Sequence, residues 1–70
     1  MSIKDIKDIL AKNRISQADL ARRANMYASN LNAILREVKP FTEYMRLRVY
    51  HGLKKYKEIP KDDIDKIFVE

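Results

Sequence analysis

The sequence predicts an all-α fold, a compact bundle of five short helices, and three observations favour it. Apolar residues recur three or four positions apart through most of the seventy-residue chain, as they do on one face of a helix. No stretch alternates apolar and polar residues as a half-buried strand does. Short polar or proline-containing stretches separate the periodic ones, and a chain of this length forms a single domain over residues 1–70.

The first two helices are predicted from apolar spacing and from residues that cap helix N-termini. The first runs from about Ser2 to Lys12, because its isoleucines share one face, and Ser2 with Asp5 resembles a capping box. The second begins at Ser16 and again has an acidic residue, Asp19, at the third position. Its buried side is expected to consist of Leu20, Ala21 and Ala24.

Asn25 is predicted to form a tight turn, because Asn accepts a positive φ more readily than most residues other than glycine. A third helix then covers roughly Ala28 to Arg36. Its buried stripe is expected to consist of Leu31, Ile34 and Leu35. The preceding residue, Tyr27, is a poor N-cap, so the start of this helix is open by one position.

Two prolines delimit the second half of the chain. Pro40 makes residues 37–41 a loop, and a fourth helix runs from Phe41 or Thr42 to about Tyr56. Its buried face is expected to consist of Met45, Val49, Leu53 and Tyr56. Gly52 inside this helix costs up to ~1 kcal/mol relative to alanine, which indicates a close helix contact or an earlier helix end. Pro60 opens a fifth helix, whose apolar face consists of Ile64, Ile67 and Phe68.

The formal net charge of +5 is unevenly distributed. Residues 12–57 hold eleven Lys and Arg residues against Asp19, Glu37 and Glu43, whereas residues 62–70 hold four acidic residues against Lys66. A basic middle favours a polyanionic partner, and a solubilising surface is the alternative.

Composition argues against several classes of function. With no cysteine and a single histidine, His51, the chain is not expected to bind a metal or another cofactor. Gly52 is the only glycine, so there is no glycine-rich phosphate loop, and we expect neither an enzyme nor a small-molecule substrate. No apolar run approaches the ~20 residues of a membrane span. The N-terminal residues lack the apolar region of a signal peptide, so a cytoplasmic protein without a membrane partner is expected.

The outward side of the third helix suits the major groove of DNA. Short side chains let its backbone approach base edges, Asn32 can both donate to and accept from a base such as adenine, and Ser29 can bond to several bases. Gln17, at the start of the second helix, can hold a phosphate. The small residue Ala21 lets the second and third helices cross closely.

Residues 16–35, SQADLARRANMYASNLNAIL, resemble the helix-turn-helix of the lambda-repressor and Cro-like DNA-binding proteins. The resemblance rests on Ser16-Gln17-Ala18-Asp19-Leu20-Ala21, on the turn at Asn25 and on apolar Leu31 and Ile34. It implies a five-helix domain that binds operator DNA as a two-fold dimer. The positions that it maps onto DNA are Gln17, Tyr27, Ala28, Ser29, Asn32 and Ala33, followed by Arg36 and Lys39.

The expected function is therefore a sequence-specific regulator of transcription that binds double-stranded DNA as a homodimer, of the phage or plasmid repressor type. The alternative is a protein-interaction module on the same scaffold, antitoxin-like or binding a polymerase or recombinase. Its expected surface consists of C-terminal apolar residues, Ile64, Ile67, Phe68 and Val69. RNA binding is disfavoured, because the chain lacks the aromatic platform on which single strands stack.

Overall fold

A computed structural model describes residues 3–68 of the chain, and of residues 67 and 68 it describes the backbone only. The helices are α1 (Ile3–Lys12), α2 (Gln17–Arg23), α3 (Ala28–Leu35), α4 (Glu43–Lys54) and α5 (Lys61–Phe68). Residues 3–68 contain no strand, so the prediction of an all-α chain with five helices is confirmed. The Cα atoms span 28 × 25 × 18 Å. The predicted helix start and cap at Ser2 lie outside the described residues.

Two helices begin at residues whose hydroxyl oxygen accepts a backbone hydrogen bond. Ser16 accepts from the N–H of Asp19 at 3.1 Å, and Thr42 accepts from the N–H of Met45 at 3.3 Å. These bonds satisfy N–H groups that have no partner inside the helix. Tyr27 precedes α3 without any side-chain capping bond, yet α3 begins at Ala28 as drawn from the sequence.

Three helices end in the same way, with one residue in the left-handed region. Arg14, Asn25 and Glu37 have φ values of 56°, 57° and 61°. After each of them an N–H returns to a carbonyl five residues earlier: Ile15 to Leu10 at 2.8 Å, Met26 to Ala21 at 2.9 Å and Val38 to Ala33 at 2.9 Å. This is the Schellman closure, which satisfies the last carbonyls of a helix. The prediction for Asn25 is confirmed.

Every helix contributes to one hydrophobic core. Its buried side chains include Ile6 and Leu10 of α1, Leu20 and Ala21 of α2, Leu31 and Leu35 of α3, Val49 and Leu53 of α4, and Ile64 of α5. Tyr56 is buried as predicted, although α4 ends at Lys54 and Met45 is only half-buried. The Tyr50 hydroxyl donates to Asp65 at 3.2 Å and so ties α4 to α5.

Gly52 lies where α4 meets the end of α2. A Cβ atom built on Gly52 would lie 2.8 Å from the Cβ and 3.0 Å from the Cα of Ala24. Atoms this close repel strongly, so any side chain at this position would force the two helices apart. Of the two readings of Gly52, the close helix contact is confirmed, and α4 also ends two residues earlier than predicted.

Gly52→Ala is expected to destabilise the protein by about 1–2 kcal/mol. Overpacking costs about 1–3 kcal/mol, and the higher helix propensity of alanine returns up to ~1 kcal/mol of it. Urea unfolding followed by circular dichroism measures the difference. The matched test is Gly52→Ala combined with Ala24→Gly, which removes the methyl group nearest to the new Cβ and should recover part of the loss, since the backbone Cα and N of residue 24 stay 3.0 Å away. A Gly52→Ala protein as stable as the parent would show that separating the helices costs no more than the ~1 kcal/mol that alanine returns.

Candidate nucleic-acid interface

Helices α2 and α3 form a pair joined by residues 24–27. The two helices contact each other, and their predicted apolar residues are all buried, namely Leu20, Ala21, Ala24, Leu31 and Ile34. Ala21 is 1% exposed, and no larger residue would fit without separating the helices. The connection is closed by the bond from Met26 to the carbonyl of Ala21. The orientation of α3 relative to α2 is therefore fixed by packing and by the backbone together.

The outward side of α3 is accessible. Ala28, Ser29, Asn32 and Arg36 are exposed, Ala33 is half-buried, and Tyr27 is 79% exposed immediately before the helix. Lys39 is exposed in the loop that follows. We call Tyr27, Ala28, Ser29 and Asn32, together with Gln17, the α3 surface. Among its members, the structure joins Gln17 and Asn32 directly by a side-chain hydrogen bond.

Gln17 and Asn32 are fifteen residues apart in the sequence and bond to each other across the helix pair. The Asn32 amide nitrogen, Nδ2, donates to the Gln17 oxygen, Oε1, at 2.9 Å. Within residues 3–68, the Oδ1 atom of Asn32 and the Nε2 atom of Gln17 make no hydrogen bond. The pair therefore presents one acceptor and one donor beside each other, on side chains that restrict each other's motion.

A second bond ties the loop after α3 back to the helix. Lys39 Nζ donates to Asn30 Oδ1 at 2.9 Å. Asn30 is only half exposed. The sequence gives no signal for this contact, because the two residues lie on different elements nine positions apart. It holds the charge of Lys39 close to α3.

A groove of about 510 Å³ lies between the turn and the start of α4, and Tyr27, Arg22 and Arg48 are among the residues that line it. Arg48 donates through Nη1 to the carbonyl oxygen of Asn25 at 2.8 Å and through Nη2 to the hydroxyl of Tyr44. The sequence pattern does not predict that Arg48 reaches the turn. Its spacing of four residues from Tyr44 was the one available signal. Arg48 both fixes the turn and adds positive charge beside Tyr27.

Asp19 fixes α2 to the segment after α4. Its carboxylate accepts hydrogen bonds from the Tyr56 hydroxyl, from Arg22 and from Arg23 Nε, the last at 3.2 Å. The Arg23 guanidinium also lies over the Tyr56 ring, 4.4 Å from its centroid. Asp19 is therefore both a member of the helix cap with Ser16 and the acceptor of a three-donor network.

This hydrogen-bond network shifts the pKa values of Asp19 and Tyr56 in opposite directions. The hydrogen bond from Tyr56 holds the pKa of Asp19 below its ordinary value of 3.8, and the charges of Arg22 and Arg23 add to this against the opposing effect of partial burial. Burial, followed by the hydrogen bond to the Asp19 carboxylate and its charge, raises the pKa of Tyr56 well above its ordinary range. At neutral pH, Asp19 is therefore ionised and the Tyr56 hydroxyl keeps its proton.

No protein-family model, curated protein or solved structure shows a significant match to this chain. The functional interpretation of the helix pair therefore depends on its own geometry and charge. Across residues 3–68, no helix combines the length and the apolar character needed to cross a bilayer. The described residues also bring together no group of His, Asp or Glu side chains that would hold a metal ion.

The prediction that Ile64 belongs to an exposed C-terminal surface for a protein partner is wrong. This side chain is 2% exposed and belongs to the hydrophobic core. The remaining members of that surface lie outside what the structure describes, namely the side chains of Ile67 and Phe68, and Val69. Ile64 is buried because it lies on the face of α5 that packs against the bundle, so it is not available to a partner.

Because the folded pKa of Asp19 is depressed, ionised Asp19 stabilises the folded state above about pH 4, and this contribution is lost as the pH falls through the folded pKa. Asp19→Asn and Tyr56→Phe should each lower stability at neutral pH and reduce the further loss in acid. Urea unfolding between pH 2 and pH 7 measures both effects. Asp8→Asn, which removes an exposed carboxylate of α1 outside the network, is the control. Equal acid sensitivity in the parent and in Asp19→Asn would contradict the role of the network.

Proposed function

We propose that the chain is a sequence-specific regulator of transcription that binds double-stranded DNA, a repressor of the type found in phages and plasmids. The observation that carries the proposal is the hydrogen bond between Asn32 and Gln17, which joins the exposed polar side of α3 to the first residue of α2. The packed pair of α2 and α3 and the left-handed turn at Asn25 support the resemblance to the helix-turn-helix of lambda-repressor and Cro-like proteins.

The chemistry of the α3 surface fits base edges in a major groove. The free donor of Gln17 and the free acceptor of Asn32 complement adenine, whose edge offers one acceptor and one donor there. Ser29 lies one turn before Asn32 and adds a hydroxyl group. Ala28 brings no bulk and offers a methyl contact to thymine, as does the half-buried Ala33. The proposed readout depends on short side chains held rigidly.

Phosphate contacts come from the basic residues beside this surface. Arg36 and Lys39 follow α3, and the bond to Asn30 keeps Lys39 close to the helix. Arg22 and Arg48 line a groove together with Tyr27. Contacts of this kind fix the position of a protein on the duplex and make its affinity fall steeply with salt.

The proposed mechanism is steric. A two-fold dimer sets two copies of α3 into successive major grooves about 34 Å apart. The largest dimension of the Cα trace is 28 Å, so two copies fit beside each other at that spacing on one side of the duplex. Occupation of such a site excludes polymerase from an overlapping promoter.

Ser29→Ala combined with Asn32→Ala is expected to relax sequence specificity. The parent chain should select a palindromic consensus from a pool of random duplexes, because a two-fold dimer reads two equivalent half-sites. The double variant should lose about 1–3 kcal/mol of discrimination for each base contact removed, while its affinity for random DNA at low salt changes little. Mobility shifts on the selected and on a random duplex measure both quantities.

Lys39→Ala is the matched control for these variants, since it removes a proposed phosphate contact from the same region. It should weaken binding to selected and random duplexes alike and reduce the slope of affinity against salt by about one. Binding by the parent that is equal on every sequence, or absent at low salt, would contradict the proposed function. A uniform loss in Ser29→Ala/Asn32→Ala would contradict base reading by the α3 surface.

A further inference from the structure

The outer side of α4 exposes two large side chains with apolar surface, Leu47 and Tyr44, and the Arg48 guanidinium lies over the Tyr44 ring, 4.7 Å from its centroid. Tyr44 is 58% exposed and Leu47, three residues later, is 54% exposed. His51 is exposed one turn further along. These side chains border a groove of about 310 Å³ between α4 and the end of α2, which we call the α4 groove. Apolar surface gathered in a groove on a small domain is typical of a protein-docking site.

The charged residues that line the α4 groove are all basic. They are Arg23, Arg48 and Lys55, and no carboxylate lines the groove. Arg23 is paired with Asp19. Arg48 and Lys55 bond to neutral acceptors, Arg48 to the Asn25 carbonyl and Lys55 to the Arg23 carbonyl, each at 2.8 Å. Neither of these two forms an ion pair within residues 3–68. The groove thus combines uncompensated positive charge with an apolar floor.

The positive charge and the apolar surface of the α4 groove together indicate which kind of molecule would bind there. A symmetric contact between two α4 faces would bring Arg48 and Lys55 close to the same residues of a second copy, and like charges at an interface are unfavourable. A nucleic-acid backbone would meet the cations but would leave the apolar side chain of Leu47 without an apolar partner. An amphipathic helix with acidic residues satisfies both requirements.

We propose that the α4 groove is the docking site for an acidic amphipathic helix of a partner protein. Apolar side chains of that helix pack on Leu47 and Tyr44, and its carboxylates pair with Lys55 and Arg48. The groove contains no residue of α3 and not Gln17, so this surface is separate from the base-reading residues. The α4 groove shares Arg48 and Tyr44 with the groove beside Tyr27. The inference still goes beyond DNA binding, because its test is peptide binding around Leu47, which can fail whether or not the chain binds DNA.

The test uses the full chain and a defined probe, a helical peptide of about 15 residues with leucines on one face and flanking glutamates. Amide chemical shifts in a titration with ¹⁵N-labelled protein locate the contact. The peptide should shift amides around Leu47, His51 and Lys55. A control peptide of the same composition, scrambled so that its leucines do not share a face, should bind at least about tenfold more weakly.

Variants of the chain separate this site from others. Leu47→Ser should lower the affinity for the peptide about tenfold or more, because it removes most of the apolar contact. Lys55→Glu should weaken binding of the glutamate peptide and favour a version that carries lysines instead. Val38→Ser is the matched control, since Val38 is another largely exposed apolar residue and lies outside the groove. It should leave peptide binding and the fold unchanged.

Four results would overturn the proposal. The first is the absence of shifts around Leu47 at peptide concentrations up to about 1 mM. The second is peptide binding that Leu47→Ser leaves unchanged. The third is a set of shifts at Leu47 and His51 caused by duplex DNA and lost in Lys55→Glu, which would assign the groove to nucleic acid. The fourth is a concentration dependence of the same amides in the free chain that Leu47→Ser abolishes, which would identify a second copy as the occupant.

Discussion

Helices α2 and α4 approach each other at Ala24 and Gly52 so closely that a single added methyl group would lie 2.8 Å from its neighbour. Three further interactions cross the same seam. The Tyr56 hydroxyl donates to Asp19, Lys55 donates to the carbonyl of Arg23, and Arg48 donates to the carbonyl of Asn25. The position of α3 depends on this seam, because α3 is connected to α2 through the turn that Arg48 holds.

The positions of Arg48 on α4 and of Lys55 just after it are also favoured electrostatically. The carbonyls at the end of α2 form the negative end of its dipole and lack partners within the helix. Lys55 donates to the carbonyl of Arg23 at the end of α2, and Arg48 donates to the carbonyl of Asn25 in the turn that follows. The same positive charges border the groove beside Leu47. One set of residues therefore closes α2 and sets the charge of an exposed surface.

The chain uses its only glycine at this seam and none at its three left-handed helix ends. The sequence predicted the left-handed residue at Asn25 but not at Arg14 or Glu37, because arginine and glutamate have no intrinsic preference for that conformation. The available signal was the apolar residue that follows each of them, Ile15 and Val38, since a Schellman ending places an apolar side chain at that position. Ile15 packs against the core, whereas Val38 stays exposed. Closure at Glu37 therefore depends on backbone bonds and on the bond from Lys39 to Asn30, without an apolar contact from Val38.

Periodicity identified which residues share a face of a helix, and this was enough to place the helices, most of the core and the exposed side of α3. It carries no information about contacts between residues far apart in the sequence. The bonds from Asn32 to Gln17 and from Lys39 to Asn30 were therefore not predictable. Nor does it tell whether another element covers a given apolar residue.

Whether another helix packs over an apolar residue explains both errors: the wrong assignment of Ile64 to the surface, and the α4 groove that the sequence did not predict. Ile64 was expected at an exposed C-terminal patch, yet its face of α5 is the face that packs on the bundle. Leu47 lies on the side of α4 opposite its buried residues Val49, Gly52 and Leu53, where the apolar pattern of the sequence gives a single apolar residue no significance. Only the fold shows that Leu47 and Tyr44 border one groove with uncompensated cations. In a small bundle, the apolar residues of a helix's buried stripe pack in the core. An exposed apolar residue outside that stripe, such as Leu47, is therefore a better indicator of a binding partner.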